Sequence, residues 1–282
     1  MSSFVLAAVL LGALIHASWN ALVKAQPDRF VAAVIVAIGA GIAAIPVMIA
    51  LPLPPRAAWP YLAASAVIHV GYFALVGFAY RSADLGVAYP LTRGSAPLFT
   101  AIFAFLLIGE ALGLTGWLAV IAIAAGIVAL SADALLRGGL TWNAGTGVMV
   151  NAGIIVIYTL IDGLGARVAG SGVIYVAWMC AGTAILTFPF ILAVRGKPFL
   201  TDLRSEWWRG LLGGVLVLTS YGIALWAMTR APIGLVAALR ETSVVFAAIL
   251  GAVLFGEPFG PKRWAALALI LGGIALLRLA GT

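Results

Sequence analysis

Two stretches of this chain, 147 to 148 residues apart, repeat one another, and no other feature limits the possible folds as much. Asp84 to Glu110 reads DLGVAYPLTRGSAPLFTAIFAFLLIGE, and Ala231 to Glu257 reads APIGLVAALRETSVVFAAILGAVLFGE. Gly86 matches Gly234, Leu91 matches Leu239 and Ser95 matches Ser243 at an offset of 148. Gly109-Glu110 then matches Gly256-Glu257 at 147, and Trp117 with Trp264 and Gly126 with Gly273 keep that register. The chain therefore reads as two related halves, 1–137 and 138–282, each with a charge-bearing apolar segment near its middle.

Of 282 residues, 64% are hydrophobic and only 9% charged, too little charge to cover a soluble domain of this size. Apolar runs of about 20 residues separated by short polar gaps mean an all-α polytopic membrane protein. Ten runs can be placed, at 3–24, 30–51, 57–80, 84–108, 114–135, 145–168, 172–194, 207–229, 232–255 and 262–279. The longest expected connection is Arg195 to Arg209. The runs are continuous rather than alternating, which argues against a β-barrel. Five spans per half is an odd number, so the second half enters the bilayer upside down. Such inverted repeats place a substrate site near the midplane at their interface.

The net charge is +7, but the basic residues sit in the gaps, so they report topology and not a nucleic-acid surface. Ten Lys and Arg fall on one side of the expected membrane: Lys24, Arg29, Arg81, Arg137, Arg195, Lys197, Arg204, Arg209, Lys262 and Arg263. Four fall on the other: Arg56, Arg167, Arg230 and Arg278. Taken alone, that bias puts both termini outside the cytoplasm. The first run lacks a basic leader region and holds His16, Trp19, Asn20 and Lys24, so it reads as a retained helix. Cys180, the single cysteine, excludes an intrachain disulfide and reads as a small buried hydrophobe.

Polar groups at membrane depth are costly, so they line a path or bind a neighbouring helix. His16, Trp19 and Asn20 share one helical face, and Tyr158 and Asp162 share another at the corresponding place in the second half. The third run carries His69, Tyr72, Phe73 and Tyr80, and the eighth carries Tyr221 and Trp226. Such aromatic faces suit a substrate that is itself apolar or aromatic. A lone histidine such as His69 is more often packed than functional. Trp59, Trp207 and Trp208 lie at run ends and read as interfacial anchors. Arg93, Arg240 and Glu241 are the most expensive residues in the chain. The repeat register sets Glu241 opposite Arg93, which predicts an ion pair, structural or gating in role, that a charge swap restores. Pro90 and Pro97 remove backbone donors, and Gly86 and Gly234 permit close approach or unwinding at the helix mouths; these four read as hinges. Gly210 and Gly214 form a GxxxG.

There is no GxxxxGK[ST] loop, HExxH, GxSxG, CxxC or EF-hand run. Two histidines and one cysteine argue against a zinc site. No metal and no cofactor is expected. Asp162 is the residue placed to carry a proton if transport is proton-coupled.

HASWNALVKA in the first run, the two GxxxxL entries to the fourth and ninth runs, and GEALGLTGWLAVIAIAAGIVAL with GEPFGPKRWAALALILGGIALL resemble the drug/metabolite transporter superfamily, in its ten-helix EamA-type branch. The likeness spans essentially the whole chain and looks most like bacterial inner-membrane exporters of aromatic and related amino acids, the YddG type. It implies a ten-helix basket with a cavity lined by the first, third, fourth, sixth, eighth and ninth runs. His16, Trp19, Asn20, Tyr72, Tyr89, Tyr158 and Tyr221 then become cavity residues. It also implies both termini in the cytoplasm, against the loop count. The expectation is a monomeric, multi-pass secondary transporter of the bacterial inner membrane that exports amino acids and related metabolites by alternating access. The alternatives are a proton-coupled exporter of small drugs or other metabolites, an integral membrane enzyme, for which clustered carboxylates are missing, and a sensor or assembly partner that transports nothing.

Overall fold

A computed structural model describes residues 1–82, 85–130, 142–255 and 260–279, and their side chains except over 73–92, 142–148, 251–252, 254–255, 262 and 279. The described residues form helices and no strand. They run α1 (Ser3–Lys24), α2 (Arg29–Ala50), α3 (Trp59–Ser82), α4 (Leu85–Phe103), α5 (Leu114–Leu130), α6 (Trp142–Val168), α7 (Gly172–Arg195), α8 (Pro198–Met228), α9 (Ile233–Glu241), α10 (Ser243–Phe255) and α11 (Pro261–Leu279). A short 3₁₀ turn, Arg56–Ala58, leads into α3. Among the described residues, six stretches are long and apolar enough to cross a membrane, and Arg93–Ile108 and Leu114–Leu130 are shorter apolar helices. α9 and α10 together make one span, so the eleven described helices make ten spans.

Local chemistry sets the ends. The Asp28 side chain caps α2 by accepting from Val31 N at 3.0 Å, and Ser171 caps α7 by accepting from Ile174 N at 3.3 Å. α4 continues into a π-helical turn, Ala104–Ile108, which Gly109 closes in the left-handed region at φ 73°.

Two expectations need correction. The long connection over 195–209 does not exist: Gly196 ends α7 at φ 68°, and α8 starts at Pro198. A window set for apolar residues misses the polar turns TDLRSEWWR, which continue the helix beyond its apolar part, with Pro at its first position. The ninth run is also not one helix. The Thr242 hydroxyl donates to the Leu239 carbonyl at 2.6 Å, competing with the helical ladder, and α9 ends one residue earlier. The repeat boundary near residue 137 lies outside the described residues.

The chain forms two compact units that do not follow the halves of the sequence. One holds Met1–Leu14, Phe78–Leu160 and Arg230–Thr282; the other holds Ile15–Gly77 and Ile161–Thr229. In the first, α5 crosses α11 with repeat-related residues on both sides. A Cβ on Gly126 would lie 2.5 Å from Ile270 Cγ1 and 3.0 Å from the Ala266 carbonyl oxygen. A Cβ on Gly273 would lie 2.7 Å from Ile123 Cγ1 and 3.0 Å from the Ala119 carbonyl oxygen. Each side of the crossing sees the same neighbours, as a local twofold requires. In the second unit, α2 packs on α7 and α8. Gly39 touches the Gly210 carbonyl there, and Gly214 touches the backbone of Gly39 and Ala40. That contact is the use of the GxxxG: side-chain-free positions let two backbones meet. Val31, Val34, Ile35, Ile38, Ile191 and Phe199 fill the core beside it.

Candidate functional site

Among the described residues, each unit buries a polar cluster. In the first unit it forms where α9 gives way to α10. Arg240 lies in the last turn of α9, where a cation complements the partial negative charge of the helix end. Glu241 lies just before the first turn of α10, where an anion does the same. Arg93 of α4 donates through Nη1 to both Glu241 oxygens, at 3.1 and 3.0 Å. Arg240 Nη2 donates to Glu241 Oε1 at 3.3 Å and to the Tyr158 hydroxyl of α6 at 3.4 Å, with its guanidinium 5.9 Å from the Tyr158 ring centre. Arg93, Arg240 and Glu241 are 6%, 5% and 2% exposed. One carboxylate therefore serves two guanidiniums, and the three groups together carry one net positive charge.

The mouth of α9 is held from across the repeat. Glu110 Oε2 accepts from Ile233 N at 2.7 Å, satisfying a backbone donor at the helix start. Gly234 lies against the backbone of Ala101 in α4, where a Cβ would come within 2.7 Å of its Cα. Gly86, Tyr89 and Pro90 fall in α4, but their side chains lie outside the described residues. Pro97 is buried, and α4 is helical through both prolines. Glu257, the repeat partner of Glu110, also lies outside the described residues.

In the second unit the centre is Asp162 of α6, fully buried. Its Oδ1 accepts from the Tyr175 hydroxyl of α7 at 3.0 Å and its Oδ2 from the Tyr221 hydroxyl of α8 at 2.6 Å. Gly165, one turn along α6, makes room for the Tyr175 ring. The His69 ring of α3 meets the Tyr221 ring edge-on at 6.4 Å between centres. On α1, Trp19 Nε1 donates to His16 Nδ1 at 3.3 Å, and Asn20 Nδ2 donates to the His16 carbonyl at 2.8 Å. His16, Trp19, Asn20 and Tyr72 are all half-buried. A cavity of about 330 Å³, lined among others by Gln26, Asp28, Asp202, Glu206 and Arg209, contains none of these candidate residues.

Arg93, Glu241, Arg240 and Tyr158 thus come together in one unit, and Asp162 and Tyr221 in the other. Sequence reasoning missed two participants: Tyr175 and the capping role of Glu110. Tyr175 carries no signal in helical spacing, since its partner Asp162 lies on another helix. The Gly-Glu pairs were visible only as repeat markers.

A model of the EamA-like transporter family matches residues 3–132 and again residues 145–279. This chain belongs to the EamA-like transporter family. As a member it is a multi-pass membrane transporter of a small-molecule substrate and not an enzyme. Its fold is similar to a solved crystal structure, at 22% identity and a TM-score of 0.74, covering 98% of this chain and 96% of that one. No curated protein matches it.

Proposed function

We propose that this EamA transporter exports amino acids, aromatic and similar ones, and related small metabolites across the bacterial inner membrane by alternating access. The observation that carries the reading is the character of the uncharged side chains at membrane depth. Trp19, Tyr72 and Tyr221 offer rings to stack on, and His16 and Asn20 offer hydrogen bonds to an amino acid's polar end. The positions of His16, Trp19, Asn20, Tyr72, Tyr89, Tyr158, Asp162 and Tyr221 supply substrate contacts in this reading. The Arg93–Glu241–Arg240 cluster is a lock between α4 and α9, and Gly86, Pro90, Pro97 and Gly234 are the places where those helices bend. A strongly anionic substrate such as a sugar phosphate would call for more basic side chains than Arg93 and Arg240.

Flux from proteoliposomes tests this. Vesicles carrying purified protein are loaded with labelled phenylalanine, threonine or a cationic dye, with and without a proton gradient. Phenylalanine and threonine efflux that Trp19→Ala and Tyr72→Ala diminish is the expected result. Dye efflux without amino-acid efflux would replace the substrate class with small cationic drugs.

A further inference from the structure

We propose that the cavity between the end of α1, the start of α2 and the start of α8 binds phosphatidylethanolamine, a phospholipid whose head group carries a phosphate and a primary ammonium. The cavity lies within the second unit, apart from the polar cluster around Asp162. The inference does not depend on what the protein transports.

At about 330 Å³ the cavity has the volume of a small ligand site. Its three walls share one direction. The chain leaving α1 passes from Leu22 to Gln26. α2 is capped by Asp28 and runs inward through Val31 and Ile35. On α8, Asp202, Glu206 and Arg209 fall on one face, with Asp202 outermost and about 10 Å from Arg209 along the axis. Each wall is therefore polar at its outer end, and the inner end of the cavity is apolar. A cavity of this kind takes an amphipathic molecule end-on.

Its depth is that of lipid head groups. α8 has 31 residues and is about 46 Å long, more than the roughly 30 Å of bilayer hydrocarbon, so its first turns extend past the acyl chains. Trp207 and Trp208 are exposed there, as interfacial anchors are. The Arg209 guanidinium lies 4.9 Å from the Trp208 ring centre, which keeps it at that level.

The order of charges selects the head group. Asp28 pairs with Arg195, and Glu206 with Arg209. Among the described residues the Asp202 carboxylate has no basic partner; only its backbone carbonyl is used, by the Ser205 hydroxyl at 3.0 Å. Three carboxylates thus meet two guanidiniums, and the surplus negative charge sits at the outer end. Arg209 spends Nη1 on Glu206, at 2.9 and 2.7 Å, and its other nitrogens can still donate to a phosphate. From the bilayer outward the lining reads apolar wall, guanidinium, carboxylate. Phosphatidylethanolamine reads acyl chain, phosphate, ammonium. Its ammonium has N–H donors for Asp202, which the trimethylammonium of phosphatidylcholine lacks, and phosphatidylglycerol brings no cation at all.

Native mass spectrometry of the full chain in detergent tests this. Short-chain phosphatidylethanolamine, phosphatidylcholine and phosphatidylglycerol with identical acyl chains are titrated, and bound lipid is counted. Phosphatidylethanolamine should bind about tenfold more tightly than the other two, the worth of one charged hydrogen bond at an exposed position. In Asp202→Asn that preference should vanish while phosphatidylcholine binding stays unchanged. Ala32→Phe, which fills the apolar wall, should weaken phosphatidylethanolamine binding about tenfold or more. Thermal unfolding checks that both variants are folded; Asp202→Asn, at an exposed side chain, decides alone if Ala32→Phe is not. Equal affinity for the three lipids overturns the proposal, as does a preference that survives in Asp202→Asn. Phosphoethanolamine without acyl chains is the last arm. Competition far weaker than the lipid's supports the assignment, and competition as strong as the lipid's overturns it in favour of a soluble ligand.

Discussion

At the scale of single residues, Glu241 is the most constrained side chain in the first unit, because two guanidiniums depend on it. Removing one member of a buried ion pair costs about 3–5 kcal/mol, most of it from the charge left behind. Glu241→Gln removes the charge that both guanidiniums share, so it should fall in that range. Arg93→Gln should cost less, since Arg240 still accompanies the carboxylate. Unfolding of the purified variants in one detergent checks the order; equal losses would mean that Arg240 does not share the carboxylate. Exchanging the charges of Arg93 and Glu241, the obvious test from the repeat register, is not clean, because it sets a new arginine beside Arg240. The register itself put Arg93 opposite Glu241, and this much of the site was legible in the sequence, since equivalent positions of a repeat meet near a local twofold axis. The surroundings of Asp162 were not legible. Tyr175 is 13 residues away and Tyr221 is 59 away, on other helices, and no spacing along one helix announces either contact.

At the scale of elements, backbone contact between helices decides what each position tolerates. Gly39 and Gly214 lie where α2 and α8 touch without side chains between them, and neither carbonyl can move aside as a side-chain end could. Gly39→Ala should therefore destabilise by about 1–3 kcal/mol. Gly153→Ala in α6 has nothing within 4 Å of its new methyl and should be neutral or stabilising by up to about 1 kcal/mol. Parallel unfolding curves decide the matter, and a Gly39→Ala protein as stable as the Gly153→Ala one would disprove the account. The ten spans were legible because a bilayer demands long apolar runs. The start of α8 and the break at Thr242 were not, because polar turns extend a helix without adding hydropathy and one hydroxyl can interrupt it without removing any.

At the scale of the whole molecule, long-range contacts between connections agree with ten alternating spans. Asp28, in the connection after the first span, pairs with Arg195 at the end of the seventh. Glu110, after the fourth, caps the start of the ninth, whose mouth follows the eighth. In each case the partners share parity, so they belong on one face of the membrane. Cysteines placed at Gln26 and Lys197 should therefore react with an impermeant maleimide from one face, and one at Leu53 from the other. Cys180 is 3% exposed and should give no background. Labelling of Gln26→Cys and Lys197→Cys from opposite faces would break the ten-span order. The absolute direction, on which the loop charges and the family resemblance disagree, comes from the same experiment.

The meeting of Arg93 with Glu241 also bears on ancestry. Two identical halves related by a twofold axis would face each other with the same residue at this point, arginine on arginine or glutamate on glutamate, and would repel. Attraction here is available only to halves that have diverged from one another. The pair therefore records that the duplication was followed by specialisation, and it makes each half a poor partner for a second copy of itself.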